Sequence, residues 1–315
     1  MMNVSGISTY SLGLASASQP SAIGVAEALV AIRSSPRTKI SISDSSDNIE
    51  RNFDALARIG GNITSVSLSD ADGKVDISAG QFKANAKLIE KFSANAVFAV
   101  DKATAGYAST LQSHAKVDSF KINDSSAEIG SRLATLNTSS KLSQVTVSTP
   151  QTLIAMTAGQ LTDYSVLLDK IQGSPFGLKI NEAKAAEAVA LKNDARVRSI
   201  AVLDQAGAIS ANLDDLLELG SKLQQVRSSD TQVIQVTANQ LQSNALVIGK
   251  LYKGYELAVT QASLQQAAPL ASNRKIVSVD VVDTAENVSA NLASLAKLGT
   301  DLTSIHITDT TTLWP

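Results

Sequence analysis

Four aspartates recur at matching places along the 315-residue chain: Asp44, Asp124, Asp204 and Asp283, spaced 80, 80 and 79 residues apart. A row of carboxylates could bind calcium or work as a paired acid and base. On a strand array, however, residues one repeat apart stand about 14 Å from each other, three strands of roughly 4.8 Å. Oxygens so separated cannot share one coordination sphere. Each aspartate also precedes an apolar-periodic segment, where Asp is a favoured helix N-cap worth about 1 kcal/mol. Asp283 with Glu286 resembles a capping pair. The spacing predicts helix caps, not a ladder of metal or catalytic sites.

The remaining chemistry-bearing residues point the same way. Gln81, Gln160 and Gln240 keep the same period, each three residues after a hydroxyl (Ser78, Thr157, Thr237). That is the capping-box pattern, so helix initiation accounts for the glutamines without a ligand. The two histidines, His114 and His306, are far apart in sequence, and no serine has a His–Asp arrangement beside it. Calcium nonapeptides, EF-hand loops, P-loops and H-E-x-x-H patterns are all missing from the sequence. With no cysteine, thiol catalysis, disulfides and cysteine-based zinc sites are excluded. The expectation is a non-enzyme with no catalytic, cofactor or metal site.

The elements that place these residues form a tandem repeat. "ISISDSSDNIERNFDALARIG", "FKINDSSAEIGSRLATLN", "IAVLDQAGAISANLDDLLELG" and "VDVVDTAENVSANLASLAKLG" are one motif written four times. Between the copies run two others, exemplified by "IAMTAGQLTDYSVLLDKI" and "GLKINEAKAAEAVAL". Each repeat thus divides into three strand-plus-helix coils of roughly 26, 32 and 22 residues. In the first coil, pairs such as Ile40 and Ile42 or Ile200 and Val202 alternate along a strand. Ile49, Phe53, Leu56 and Ile59, like Val288, Leu292, Leu295 and Leu298, then form the apolar stripe of a helix. Gly60, Gly220 and Gly299 fall where a helix end favours a left-handed residue. The second coil adds a short extra strand before its capping box.

Short links between alternating strands and helices call for parallel pairing and right-handed crossovers. The predicted fold is α/β: a right-handed, leucine-rich-repeat-like α/β solenoid of about 80-residue units, with one long parallel sheet and helices on the opposite side. About eleven principal strands would make that sheet about 50 Å long. Residues 1–20, rich in Ser, Gly and Ala, read as a disordered leader, either an export signal or an ordinary frayed terminus. The solenoid spans 21–315, with an N-terminal capping helix over 21–37, repeats over about 38–116, 117–196 and 197–275, and a partial one over 276–315. Trp314 and Pro315 either cap the array or mark a cut through a longer one.

Composition narrows the function classes. Apolar residues make up 44% but aromatics only 4%, so many small similar layers of Ala, Val, Ile and Leu must form the core. A net charge of -2, without a basic stripe, argues against a nucleic-acid partner. No apolar run reaches the roughly 18 to 20 residues of a membrane span. What varies between repeats is the outward sheet face: Ser41, Ser43, Ser65, Ser67, Lys121, Asn123, Gln144, Thr146, Arg227, Asp280, Ser304 and His306. Variation on a constant core is what a binding scaffold shows, and also what drift on a solvated face shows. The few exposed aromatics leave that face without the usual hot-spot anchors.

The segments "VSVDVVDTAENVSANLASLAKLG", "LTSIHITD" and "TAGQL" resemble the tandem repeats of large secreted or surface proteins of proteobacteria, over nearly the whole of 21–315. The resemblance implies an exported, non-catalytic role in adhesion, matrix or host contact; the expectation is a monomeric scaffold that meets a protein or glycan partner. The alternative is a translocated effector that mimics host leucine-rich repeats.

Overall fold

The computed structural model describes residues 21–70, 73–149, 151–172 and 176–309. The leader expected over residues 1–20 and the cap expected at Trp314 and Pro315 lie outside them. The chain forms two compact lobes: one holds the chain up to Ala103 with Thr110–Lys121, the other Thr104–Ser109 with the chain from Ile122 onward. The first contains β1 (Ile40–Asp44), β2 (Ile63–Leu68), β3 (Lys74–Ser78), β4 (Val97–Ala103) and most of β5 (Val117–Asp124). The second contains β6 (Leu142–Val147), β7 (Leu153–Thr157), β8 (Ile171–Gln172), β9 (Gly177–Ala183) and β10 (Val197–Asp204). It continues with β11 (Leu223–Ser228), β12 (Ile234–Thr237), β13 (Leu257–Ala262), β14 (Ile276–Asp283) and β15 (Leu302–Ile307).

Strand–helix alternation and parallel pairing are present, but the single long sheet is not. The strands form four separate sheets: β1–β2, β3–β4–β5–β6–β8, β7–β9–β10–β11 and β12–β13–β14–β15. A solenoid built on one continuous sheet is therefore not the fold. The repeat is written instead as a recurring four-strand set, which begins at the extra strand of the second coil.

The interruption has a local cause. β3 and β12 lie against the helix that precedes them, and side chains of that helix take their free amides. Asp76 N–H donates to Glu50 Oε1 at 2.6 Å, and Gln235 N–H donates to Ser210 Oγ at 2.9 Å. At the matching place the helix carries Gly130, where a Cβ would stand 3.4 Å from the Ala155 carbonyl oxygen of β7. An edge occupied in this way takes no further strand. On the far side, β2 and β11 meet only single bridges, at Phe92 and Leu251, and β6 meets the two-residue β8.

The repeated aspartates do cap helices, though not the ones expected. Asp44 Oδ2 accepts from Val25 N–H at 2.8 Å, and Asp124, Asp204 and Asp283 accept likewise from Ala105, Ala185 and Leu264. Each recipient opens or adjoins the start of a helix 19 residues earlier in the chain. The other oxygen takes the amide of the next residue, Ser45, Ser125, Gln205 or Thr284. That next residue is the true N-cap of the following helix. Asp283 therefore pairs with Asn287, which donates Nδ2 to Oδ1 at 2.7 Å, and not with Glu286. The capping boxes at Ser78, Thr157 and Thr237 are formed as expected.

Two further departures bend the elements. The first-coil helices are broken in two: Asn52, Asn212 and Asn291 end one short helix and begin the next. Each Asn donates Nδ2 to the carbonyl four residues back, which competes with the helix ladder. Of the three glycines, Gly220 and Gly299 are left-handed, at φ 52° and 55°, and Gly60 is not.

In the third-coil strands, Lys102, Glu182 and Gln261 hold φ of 51°, 54° and 55°. They are β-bulges: Ile180 to Ala183 on β9 spans Ile200 to Val202 on β10, and Val259 to Ala262 spans Val279 to Val281. The extra residue keeps Ala103, Ala183 and Ala262 turned into the core, where all three are fully buried.

A left-handed L-residue costs roughly 1–2 kcal/mol, more than the entropy Gly brings to a strand. Gln261→Gly should therefore raise the urea-unfolding free energy by less than about 1 kcal/mol, whereas Gln261→Val should lower it by about 1–2 kcal/mol. Equal losses for both would remove the bulge strain.

The caps also set a pH dependence. Asp283 is held below its ordinary 3.8 by the Leu264 amide, then Asn287 and the Thr284 amide. Burial raises the Asp44 carboxyl, but Asn48 and the amides of Val25 and Ser45 outweigh it and lower the value. A depressed carboxyl stabilises the fold fully above its unfolded value and loses that contribution as pH falls through the folded one. Unfolding midpoints should accordingly drop between about pH 5 and pH 2, and less steeply in Asp283→Asn. An unchanged slope in that variant counts against the cap.

Candidate functional site

The outward sheet residues are distributed over different sheets. On the β1–β2 pair, Ser41 stands opposite Ser65 and Ser43 opposite Ser67. Two of them are tied to the sheet: Ser41 Oγ lies 3.0 Å from Thr64 Oγ1, and Ser67 Oγ donates to the Ile42 carbonyl. Lys121 and Asn123 lie exposed on β5. Thr146, on β6, accepts from Gln144 Nε2 at 3.3 Å.

On β14 and β15, Asp280 pairs with Ser304 and Val282 with His306. Asp280 Oδ1 accepts a short hydrogen bond from Ser304 Oγ and lies 3.4 Å from His306 Nε2. The carboxylate sits between hydroxyl and imidazole. A nucleophilic relay needs the imidazole in the middle, so this order does not activate Ser304. His114 is structural: its ring meets Phe82 edge-on at 4.9 Å, and Nδ1 accepts the Lys116 amide. Among the described residues, no group of three His, Cys, Asp or Glu is placed to hold a metal ion.

Arg227 lies in a concavity. It belongs to a cleft of about 330 Å³ in the second lobe, lined also by Asp230, Gln232, Tyr252, Tyr255 and Glu256. The β11 end forms one wall, and the turn before β13 forms the other. Tyr252 is fixed by its amide, which donates to the Val226 carbonyl at 2.8 Å, yet 51% of the residue stays exposed. Gly254, at φ 95°, makes the sharp turn between the two tyrosines. Lys275 Nζ stands 4.8 Å over the Tyr255 ring, a cation–π contact that fixes its tilt. Arg227 leans on Glu182, the left-handed bulge residue, at 3.6 Å with both side chains solvated. Asp230 is spent on structure: the Ser228 hydroxyl and the Ala206 amide hold its carboxyl below the ordinary range.

The cleft brings the exposed Tyr252 and the half-buried Tyr255 together beyond the sheet face. Its signal is present in the sequence: "KLYKGYEL" departs from "KFSANAVF" and "KIQGSPFGL" at the same place in the earlier repeats. Nothing in that comparison shows that two tyrosines flanking Lys253 and Gly254 meet the end of β11.

No family model matches the sequence, and no curated protein does. Among solved structures, the carboxyl transferase domain of Rhizobium etli pyruvate carboxylase matches at 12% identity and a TM-score of 0.20, covering 70% of this chain and 45% of that one. The chain spans less than half the length of that neighbour, and a likeness at this level carries no argument. Among the described residues, no helix is long and apolar enough to cross a membrane.

The cleft walls carry little of the stability. An exposed ion pair contributes about 0–1 kcal/mol, and surface truncations fall within roughly 0.5 kcal/mol. Arg227→Ala and Tyr252→Ala should each keep the wild-type urea midpoint within that margin. A larger loss would make the cleft part of the core.

Proposed function

We propose that the chain is a non-catalytic interaction scaffold whose second lobe binds a protein or glycan partner in the Arg227–Tyr252–Tyr255 cleft. The observation that carries this reading is the exposed Tyr252 in a concave surface lined by residues between Arg227 and Glu256, within a single repeat. Tyrosine faces supply contact area to sugar rings and peptides at low entropic cost. Arg227, Gln232 and Glu256 line the same cleft and supply polar recognition.

A secreted or surface location in a bacterium, with a role in adhesion or host contact, is part of the proposal and rests on the resemblance of the repeats. Mimicry of leucine-rich repeats depended on a continuous sheet and finds no support in four separate ones.

The test is capture from a glycan panel and from host-cell surface extract, comparing wild type with the Arg227→Ala/Tyr252→Ala double variant. Loss of capture is expected there, with retention in Lys121→Ala/Asp280→Ala, whose residues lie outside the cleft. Unaltered binding by the cleft variant would sink the assignment.

A further inference from the structure

The second lobe holds another pocket, of about 240 Å³, which shares no lining residue with the Arg227 cleft. Its floor is apolar and buried: Leu216 from the short helix Leu213–Leu217, Leu223 from the start of β11, and Val247 from the helix Ala245–Ile248. Leu217 and Leu246 wall it, the first half-buried and the second 70% exposed. At the matching places the first repeat carries Ala57 and Lys87, and the second Asn137 and Val166. The third is the first to put a leucine at both. Lys250 and Ser221 supply the polar side chains, and among the described residues no carboxylate lines the pocket.

Lys250 departs from the lysines that hold its place in the earlier repeats. Lys91 Nζ donates to the Gly60 and Ile63 carbonyls at 2.6 Å, and Lys170 Nζ to the Leu142 carbonyl at 2.7 Å. The half-buried Lys250 has no hydrogen-bond or ion-pair partner for its ammonium among the described residues. The backbone supplies a reason. Gly220 takes φ 52°, which Gly60 does not, and opens a tight turn over Gly220–Lys222. In that turn the Leu223 amide donates to the Gly220 carbonyl, the counterpart of the acceptor that Lys91 uses at Gly60. A cation is left beside an apolar concavity, a pairing that suits a ligand with one anionic head and a hydrocarbon body.

We infer that this pocket binds an alkyl carboxylate, a short fatty acid whose head meets Lys250 and the Ser221 hydroxyl and whose chain lies between Leu217 and Leu246. Its floor of Leu216, Leu223 and Val247 has no polar side chain to pair with sugar hydroxyls. The volume falls below the roughly 300–1,000 Å³ of pockets for drug-sized ligands, which limits the occupant to one short chain. The site does not depend on the Arg227 cleft.

The test titrates the isotope-labelled full chain with octanoate and follows its amide chemical shifts. Saturable shifts are expected at Gly220, Ser221, Leu246 and Val247, with a Kd of about 1 mM or tighter. Octan-1-ol carries the same chain without the charge and should bind about tenfold more weakly, as should octanoate to Lys250→Met. Leu246→Asp sets a like charge on the exposed wall and should weaken octanoate at least as much. Val166→Asp makes the same change at the matching place in the second repeat, where Lys170 is already paired, and should leave the affinity unchanged. Urea unfolding checks the fold and the released lysine together: Lys250→Met should keep the wild-type midpoint, whereas Lys91→Met should lower it. The inference is overturned by the absence of saturable shifts up to about 10 mM octanoate, or by shifts confined to other residues. Equal affinity for octan-1-ol or in Lys250→Met overturns it too, as does a midpoint loss in Lys250→Met matching that of Lys91→Met.

Discussion

Backbone amides at helix starts must find acceptors, and in this chain they find them on the next strand. A helix leaves its first amides unpaired, and in a repeat of short helices those orphans recur every few residues. Asp44, Asp124, Asp204 and Asp283 each reach back 19 residues to close one of them. Residues at the ends of β2 and β11 and beyond β6 and β15 do the same for the first-coil helices: Asp70 takes the Ser46 amide, Thr149 that of Ser126, Asp230 that of Ala206 and Asp309 that of Ala285. The glutamines of the capping boxes add a third link, from Gln81 to Asp54 and from Gln240 to Asp214. Each coil is thus fastened to an adjacent one by a polar side chain that caps, and apolar packing alone does not set the register.

This fastening explains why the core can be made of such small residues. Ala28, Ala103, Ala108, Ala183, Ala188, Ala206, Ala262 and Ala267 are essentially fully buried, and they bring backbones close. Close approach leaves little area per side chain, so directional bonds between coils decide the geometry. It also leaves the outward face free to vary, because no capping residue is shared with it. At the Tyr252 cleft the surface chemistry departs from the repeated plan. The cleft adds tyrosines where the earlier repeats read "KFSANAVF" and "KIQGSPFGL".

The repeat, the inward residues of its strands and the capping boxes were all legible in the sequence. Period-two alternation and the Ser/Thr-x-x-Gln pattern act within a few residues, so local physics fixes them. The targets of the aspartates were not legible in the same way. An aspartate before a helix looks like that helix's own cap, and only folding shows that a different amide lies closer. The bulges could have been noticed, since the inward residues Val100 and Ala103, or Val259 and Ala262, are three apart instead of two.

The sequence by itself determined an α/β repeat of about 80 residues, its parallel strands and the residues that face inward. Only the tertiary structure decided that the strands close into four sheets, because Glu50, Ser210 and the bare backbone at Gly130 occupy strand edges that a continuous sheet would need. It likewise decided that the row of aspartates binds amides and that one turn of two tyrosines lines a cleft with Arg227. All of these depend on contacts between residues 19 to 45 apart in the chain, a range over which side-chain periodicity does not say which partner is met.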